Sequence, residues 1–147
     1  MFDAGPDLGT SLIEVTHASG SWSVKELWLS RQLKPSFNDF VVHGEDVYGF
    51  DGRIFTCVDS RTGRRRWKDG RYGSGQVLLL GDQPLLLVVT EDGEGVLVAA
   101  DPKQHRELGR FQALQGKTWN HPVIAHGRLY LRNAEEIACY ELPLGER

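Results

Sequence analysis

The sequence has few of the residues that identify disulfide-rich or metal-binding domains. It contains two cysteines, Cys57 and Cys139, and one methionine among 147 residues. Two cysteines so far apart form neither a disulfide framework nor a CxxC metal motif. The longest apolar run, over residues 84–89, is much shorter than the roughly 18 residues that a membrane helix needs. The sequence therefore predicts neither a disulfide-stapled fold nor a membrane-spanning helix.

The sequence also lacks a strong net charge, a secretory signal and a helical pattern. A formal net charge of −3 disfavours a nucleic-acid partner, which would select a basic surface. The first ten residues lack the basic and apolar segments of a signal peptide, which indicates a cytoplasmic protein if the chain is complete. Apolar residues with a helical period are nearly absent, so we expect an all-β fold.

Short runs rich in Val, Leu, Tyr and Phe are present throughout, with turn residues between them, as is typical of β-strands. Asp51-Gly52 and Asp92-Gly93 favour tight hairpin turns because glycine accepts a positive φ. The predicted strands are Leu12–Thr16, Trp22–Leu29, Asp39–His43, Asp46–Phe50, Arg53–Asp59, Arg65–Trp67, Gln76–Leu80, Leu85–Thr90, Gly95–Asp101, Leu108–Gln112, Val123–Ala125, Arg128–Asn133 and Ile137–Glu141.

Three kinds of residue recur with a period near 40. An acidic residue repeats at steps of 42 and 40, a small residue precedes it by two positions, and an aromatic residue stands near the end of each unit. A period near 40 with about four strands predicts the blades of a β-propeller. The repeated residues are Asp59, Asp101 and Glu141; Cys57, Ala99 and Cys139; and Trp28, Trp67 and Phe111.

The stretch DSRTGRRRW, residues 59–67, is predicted to turn from the third strand of a blade to its outer strand. Asp59 can cap this turn, and Gly63 can take a positive φ. Trp67 would then place its ring at the joint between two blades, where such contacts contribute much of the stability of a repeat protein. The three arginines of this stretch are expected on a solvated outer strand rather than as one anion-binding face.

The two cysteines lie on equivalent strands two blades apart, which predicts that they do not pair. We expect Cys57 and Cys139 to be free, buried, small residues. The five histidines show no spacing typical of zinc sites, so no metal site is predicted.

The stretch DSRTGRRRW, with Val47-Tyr48-Gly49 and Asp51-Gly52 before it, resembles the repeat of the PQQ-like, quinoprotein-type β-propellers. The Thr62-Gly63 pair followed by Trp67 is part of that repeat. The resemblance is close over residues 37–67, partial over 123–141 and loose over 72–111.

The resemblance implies four-stranded antiparallel blades, and the chain has room for about three of them. The expected divisions are 1–36 as the end of a preceding blade, 37–71 and 72–116 as blades, and 117–147 as an incomplete last blade. Trp22–Leu29 is predicted to be an outer strand without its own blade. The ring would be completed by a second copy that exchanges this strand, or by the missing blades of a longer propeller.

Connections from the outer strand of one blade to the inner strand of the next lead to one mouth of the central channel. Amide, carboxylate, imidazole and aromatic groups there suit a small polar ligand or a peptide. The alternative is that these groups only satisfy strand ends. The predicted mouth residues are Asn38, Asp39, Tyr72, Ser74, Trp119, Asn120 and His121.

The resemblance leaves three functions open. Some family members are oxidoreductases that use PQQ and calcium, for which Asn38, Asp39 and Asn120 could offer oxygen ligands and Trp119 an aromatic floor. The sequence has no adjacent-cysteine pair of the kind those enzymes often carry. We therefore expect a non-catalytic binding scaffold without a cofactor, or a module that only self-assembles. The expected partners are its own copy, further blades, a protein or a small ligand, and the resemblance implies a periplasmic or exported location.

Overall fold

The computed structural model describes residues 2–3, 9–81 and 83–143, and every regular element in these residues is a β-strand. None of the described residues forms a helix long and apolar enough to cross a membrane. The strands are β1 (Phe2–Asp3), β2 (Thr10–Ala18), β3 (Ser21–Ser30), β4 (Val41–His43), β5 (Asp46–Asp51), β6 (Ile54–Asp59), β7 (Arg65–Arg71), β8 (Gln76–Leu79), β9 (Leu85–Val89), β10 (Glu94–Ala99), β11 (Glu107–Gln112), β12 (Val123–Ala125), β13 (Arg128–Arg132) and β14 (Ile137–Glu141).

These strands form four antiparallel sheets in chain order. The N-terminal sheet is β1-β2-β3, the first blade β4-β5-β6-β7, the second blade β8-β9-β10-β11, and the third blade β12-β13-β14. The predicted all-β fold with four-stranded propeller blades is confirmed.

The N-terminal region was predicted to contain two strands, Leu12–Thr16 and Trp22–Leu29, the second as an outer strand without its own blade, and the structure pairs them in one sheet. β2 and β3 pair along their whole length, from Thr10 opposite Ser30 to Ala18 opposite Ser21. Ser19 and Gly20, with φ of 52° and 77°, make the tight turn between them. Exchange of β3 between two copies would therefore require this hairpin to open.

The first and second blades pack through large aromatic side chains. Tyr48, Phe50 and Phe55 are completely buried against aliphatic residues of the second blade such as Val77 and Val88. Successive residues of a strand point to opposite faces, so the neighbouring residues of the first blade contact the N-terminal side instead. Both faces of the first blade are thus buried, which explains the nearly continuous apolar runs in its strands.

The second and third blades pack through smaller side chains, mainly leucines. They leave an open apolar groove of about 940 Å³ between the two blades. Residues that line it include Leu78, Leu80, Leu97, Ile124 and Leu142.

The two cysteines differ in environment although they hold equivalent positions. Cys57 lies opposite Tyr48 and is fully buried, whereas Cys139 lies opposite Tyr130 and is exposed. The expectation that both are buried is wrong for Cys139. Its face of the third blade is not covered by any described residue, whereas the second blade covers Cys57.

The turn over residues 59–64 is closed by Asp59. Its Oδ1 accepts hydrogen bonds from the backbone N–H groups of Arg61 (2.9 Å) and Thr62 (3.0 Å), and its carbonyl accepts from Gly63 N–H (2.8 Å). Gly63 has a φ of 67°, and a Cβ there would lie 2.8 Å from the ring of Trp28. Trp28 of the N-terminal sheet therefore packs directly on this turn of the first blade.

Trp67 makes the corresponding contact between the first and second blades. Its ring lies 6.0 Å from Tyr48, 5.8 Å from Phe55 and 5.5 Å from His105, between centroids. Its Nε1 donates to the Asp101 carbonyl at 2.8 Å. The indole thus forms a hydrogen bond to the second blade at Asp101, the acidic residue of the repeat in that blade.

Phe111 does not occupy the position that corresponds to Trp67. Trp67 lies opposite Cys57, whereas Phe111 lies opposite Gly95, four residues before Ala99, the counterpart of Cys57. Gly95 leaves room for the ring, since a Cβ there would lie 2.5 Å from it.

Arg65 and Arg66 point to opposite faces of β7. Arg65 Nη2 lies 2.8 Å from Asp51 Oδ2, whereas Arg66 binds Asp46 (Nε–Oδ1, 2.8 Å) and Asp59 (Nη2–Oδ2, 2.9 Å). These arginines are held by acidic neighbours and do not form one anion-binding face.

Candidate functional site

The connections that precede β4, β8 and β12 meet at one end of the blades. Gln76, at the start of β8, joins them: its Oε1 accepts from Asp39 N–H (3.3 Å) and its Nε2 donates to the Trp119 carbonyl (3.0 Å). Gln76 is itself buried. The segments before the first and third blades are therefore fixed to the second blade, which stands between them.

An exposed aromatic pair lies at this end. The rings of Phe37 and Trp119 meet edge to face with centroids 5.9 Å apart, although they precede different blades. They are 54% and 47% exposed. Lys117 Nζ lies 5.1 Å from the Trp119 ring centroid, within the range of a cation–π contact. Large apolar side chains that are exposed to water and fixed in position by buried polar groups are suited to bind a partner.

The buried carboxylate of Glu91 helps to hold the aromatic pair in place. Glu91 Oε2 lies 2.5 Å from Arg53 Nη2 and accepts from Ser74 N–H (3.3 Å), while Oε1 accepts from Trp119 Nε1 (3.2 Å). Burial by itself raises the pKa of Glu91, but these hydrogen bonds and the charges of Arg53 and Lys117 outweigh it and hold the pKa below its usual range. Glu91 is thus a fixed anion that orients the Trp119 ring.

Asp39 and His121 complete the surface. Asp39 Oδ2 lies 3.6 Å from His121 Nε2, and both side chains are accessible. We call the set Phe37, Asp39, Arg53, Lys117, Trp119 and His121 the mouth surface. It combines one aromatic ridge with charges of both signs.

Four predicted mouth residues serve the fold or lie elsewhere. Asn38 is buried, with Nδ2 donating to the Gly75 carbonyl (2.5 Å). Tyr72 points into the core between the first and second blades, where its hydroxyl donates to Glu107 (2.7 Å) and lies 2.7 Å from His105 Nε2. Burial raises the pKa of Tyr72, so its hydroxyl remains protonated.

Ser74 contributes its backbone N–H to Glu91 rather than a side-chain group to the mouth surface. The Asn120 amide, oriented so that its nitrogen donates to the Arg132 carbonyl (3.3 Å), accepts from the Arg132 guanidinium at 3.1 Å. Of the seven predicted residues, the mouth surface therefore contains Asp39, Trp119 and His121.

The predicted mouth residues omit Phe37, Arg53, Gln76, Glu91 and Lys117. Arg53 and Glu91 lie in or beside the turns between the second and third strands of their blades. In an antiparallel blade these turns are at the same end as the connections between blades. The topology alone could therefore have brought both residues into the predicted site.

Two of the three oxygen donors that the resemblance suggests for calcium have hydrogen-bond partners within the chain. Asn38 Oδ1 already accepts from Ser36 N–H at 3.2 Å, and the guanidinium of Arg132 lies against the Asn120 amide oxygen. No group of three or more His, Cys, Asp or Glu side chains in the described part of the chain is arranged to hold a metal ion.

Comparisons with known proteins agree with the fold. No curated protein matches the chain. Among solved structures the chain is similar to the crystal structure of BamB from Moraxella catarrhalis, with 14% identity, a TM-score of 0.60, and coverage of 89% of this chain and 41% of that chain. The chain thus spans less than half of that protein, and at this identity the likeness establishes the fold alone.

A family model with the description "Outer membrane protein assembly factor BamB" matches residues 50–142, most of the chain. The match includes the strands of the second and third blades completely, with part of the first blade. The resemblance to PQQ-like propellers is thereby confirmed, and the chain belongs to the PQQ-like repeat family that this model describes as outer membrane protein assembly factor BamB.

Proposed function

We propose that the protein is a non-catalytic interaction scaffold whose mouth surface binds a segment of a partner protein. The observation that carries this proposal is the exposed pair Phe37 and Trp119, whose two segments are fixed to the second blade by part-buried hydrogen bonds. Aromatic residues dominate the binding energy of many protein interfaces because they contribute a large rigid area at low entropic cost. The family's description as an assembly factor supports the same reading.

The chemistry of the mouth surface favours an extended peptide over a small polar ligand. The aromatic ridge is open rather than enclosed, so it would leave a small ligand mostly in water. An aliphatic or aromatic side chain of the partner would pack on the ridge. Acidic partner residues would meet Lys117 and Arg53, and basic ones Asp39.

The test is selection of a random peptide library on phage against the purified protein. Selected peptides should bind at least tenfold more weakly to Phe37→Ala and Trp119→Ala, a loss usual for central aromatic residues of an interface. The control is Leu108→Ala, which removes a side chain of similar exposure (43%) from β11. Peptides that bind both variants as tightly as the parent would contradict the proposal.

We also propose that no cofactor takes part. Glu91 is paired with Arg53 and has a lowered pKa, which makes it a poor proton acceptor at neutral pH. The purified protein should show no quinone absorbance, and PQQ with calcium should leave its melting temperature unchanged. A calcium-dependent stabilisation by PQQ would favour an oxidoreductase fragment instead.

Self-association to complete a ring is a second proposed function. It is favoured by apolar residues exposed on the two terminal sheets, including Val24 (65%) and Ile137 (74%). Light scattering on a sizing column should give the mass of two chains. A monomer would mean that further blades of a longer propeller cover these faces.

The location follows the family description. Since that description names outer membrane assembly, we propose that the protein acts in an exported compartment. Fractionation of the source cells tests this, and recovery in the cytosolic fraction would refute it.

A further inference from the structure

The third blade exposes a row of side chains that the first blade buries. Val41, Tyr48 and Cys57 lie side by side across β4, β5 and β6. The same three residue types recur 82 positions later and lie side by side across β12, β13 and β14. The recurring row is Val123, Tyr130 and Cys139.

The two rows differ in burial. Tyr48 and Cys57 are 0% exposed because aliphatic side chains of the second blade, among them Val77, Val88 and Val96, pack over them. Tyr130 is 36% and Val123 54% exposed, and Ile137 next to them reaches 74%. We call this exposed row with Ile137 the C-face. The first blade shows which chemistry covers such a face: a sheet that presents β-branched and aliphatic side chains.

The N-terminal sheet presents a surface of that chemistry. Val15 lies opposite Val24 on the face that also carries Ile13, and a register shift separates this pair from Ser11 opposite Leu29. Val15, Val24 and Leu29 are 51%, 65% and 49% exposed. Since Trp28 packs on Gly63 of the first blade and Leu29 points to the opposite side of β3, this surface points away from the blades. We call it the N-face.

We propose that the C-face of one chain binds the N-face of a second copy, head to tail, and that this contact buries Cys139. The inference rests on the proposed self-association and names the surfaces that carry it. The C-face and N-face point in opposite directions along the stack of sheets, so they can continue the stack from one chain into the next. Each chain contributes four sheets, and a second contact of the same kind closes a ring of two copies.

Charge agrees with this pairing. Arg128 and Arg132 flank Tyr130 on the same face of β13, with Glu141 opposite Arg128, whereas Glu26 lies opposite Ile13 on the N-face. The C-face thus carries more positive than negative charge and would meet an acidic residue. Pairing of two C-faces would instead bring the arginines of both copies together, which costs free energy.

The two cysteines make the contact measurable in the unmodified protein. Burial raises the pKa of the Cys57 thiol to about 12, so Cys57 should stay unreactive while the chain is folded. Cys139 is exposed in a single chain. With iodoacetamide, its modification rate, read by mass spectrometry, should fall at least tenfold from the dilute monomer to the concentrated dimer. Modification of Cys57 in the same samples would reveal unfolding.

Two charge insertions test the direction of the contact. Ile137→Glu and Val24→Glu alter exposed side chains, so each variant should fold and be monomeric. An equimolar mixture should recover dimers, because one intact C-face then meets one intact N-face. Leu108→Glu, which alters a side chain of the outer strand β11, is the control and should remain dimeric. Circular dichroism checks that all variants fold.

Each other outcome overturns the proposal in a distinct way. A dimer in which Cys139 reacts as fast as in the monomer would leave self-association standing but place it on another surface. Loss of the dimer in Ile137→Glu but not in Val24→Glu would indicate C-face pairing with itself. A wild-type monomer at all concentrations would refute both this contact and the proposed self-association.

Discussion

Removal of the Trp67 side chain should test whether ring contacts between blades stabilise the fold. Trp67 is half-buried between Tyr48, Phe55 and His105, and its Nε1 donates to the Asp101 carbonyl across the blade joint at 2.8 Å. Trp67→Ala would remove the ring contacts and the hydrogen bond together. Because backbone and neighbouring rings on both sides fix the blade joint, the cavity left by the missing ring should close only in part.

The expected magnitude follows from these contacts. Removal of a fully buried large aromatic side chain costs roughly 3–5 kcal/mol. The partial exposure of Trp67 places its value near the lower end, at about 3 kcal/mol. A hydrogen bond contributes about 1 kcal/mol of such a loss. Trp67→Phe, which keeps a ring but loses the donor, should therefore cost about 1–2 kcal/mol.

Urea unfolding of the dilute monomer, followed by circular dichroism, gives the free energies of unfolding, with Trp22→Ala as the control. Trp22 is 72% exposed on the N-face side of β3, and its ring lies 4.5 Å from that of His17, between centroids. Its removal should cost less than about 0.5 kcal/mol, as is usual for a surface substitution. If Trp67→Ala cost no more than Trp22→Ala, the blade joint would not depend on this ring and the reasoning would be refuted.

Three further predictions concern single side chains. Gly63→Ala should destabilise the protein by about 1–3 kcal/mol more than Gly52→Ala, because their φ angles are 67° and 65° but only a Cβ at Gly63 would meet the Trp28 ring; equal losses in urea unfolding would contradict this. Trp28→Phe should cost less than Trp67→Phe, since the buried Trp28 Nε1 has no hydrogen-bond partner among the described residues; a larger loss would show that this donor is satisfied. Glu91→Gln should lower the melting temperature at pH 7 but not in acid. The pKa of Glu91 is lowered in the folded state, so its stabilisation is present above the unfolded pKa of roughly 4.3 and is lost as the pH falls through the folded value. A pH-independent difference between Glu91→Gln and the parent would argue against the buried anion.

The turn over residues 59–64 could be read from the sequence because its conformation is local. Asp59 bonds to N–H groups two and three residues ahead, and Gly63 supplies the positive φ. The packing of Trp67 followed from the same repeat, since the repeat places Asp101 in the neighbouring blade. A pattern that repeats along the chain predicts contacts between successive blades.

The mouth surface was harder to predict because it depends on side-chain direction. Tyr72 lies in a connection between blades, yet its ring enters the core and bonds to Glu107. Glu91 stands beside a turn that the sequence marked only as a hairpin, and its role depends on Arg53, 38 residues away. Neither the inward turn of a ring nor a carboxylate shared between blades leaves a local pattern.

Dependence on neighbouring sheets also explains why equivalent positions in two blades can differ in burial. Cys57 and Cys139 occupy the same place in their blades, opposite Tyr48 and Tyr130. The strands themselves are alike, so local propensity does not decide which cysteine is buried. The neighbour in the stack decides it: the second blade seals the first, and the C-face has no such neighbour among the described residues. The mouth surface follows the same rule, since Phe37 and Trp119 come together only because the second blade holds the segments before the first and third at a fixed distance. Partner binding at the mouth should therefore weaken when blade packing is loosened, even by a substitution that contacts no mouth residue.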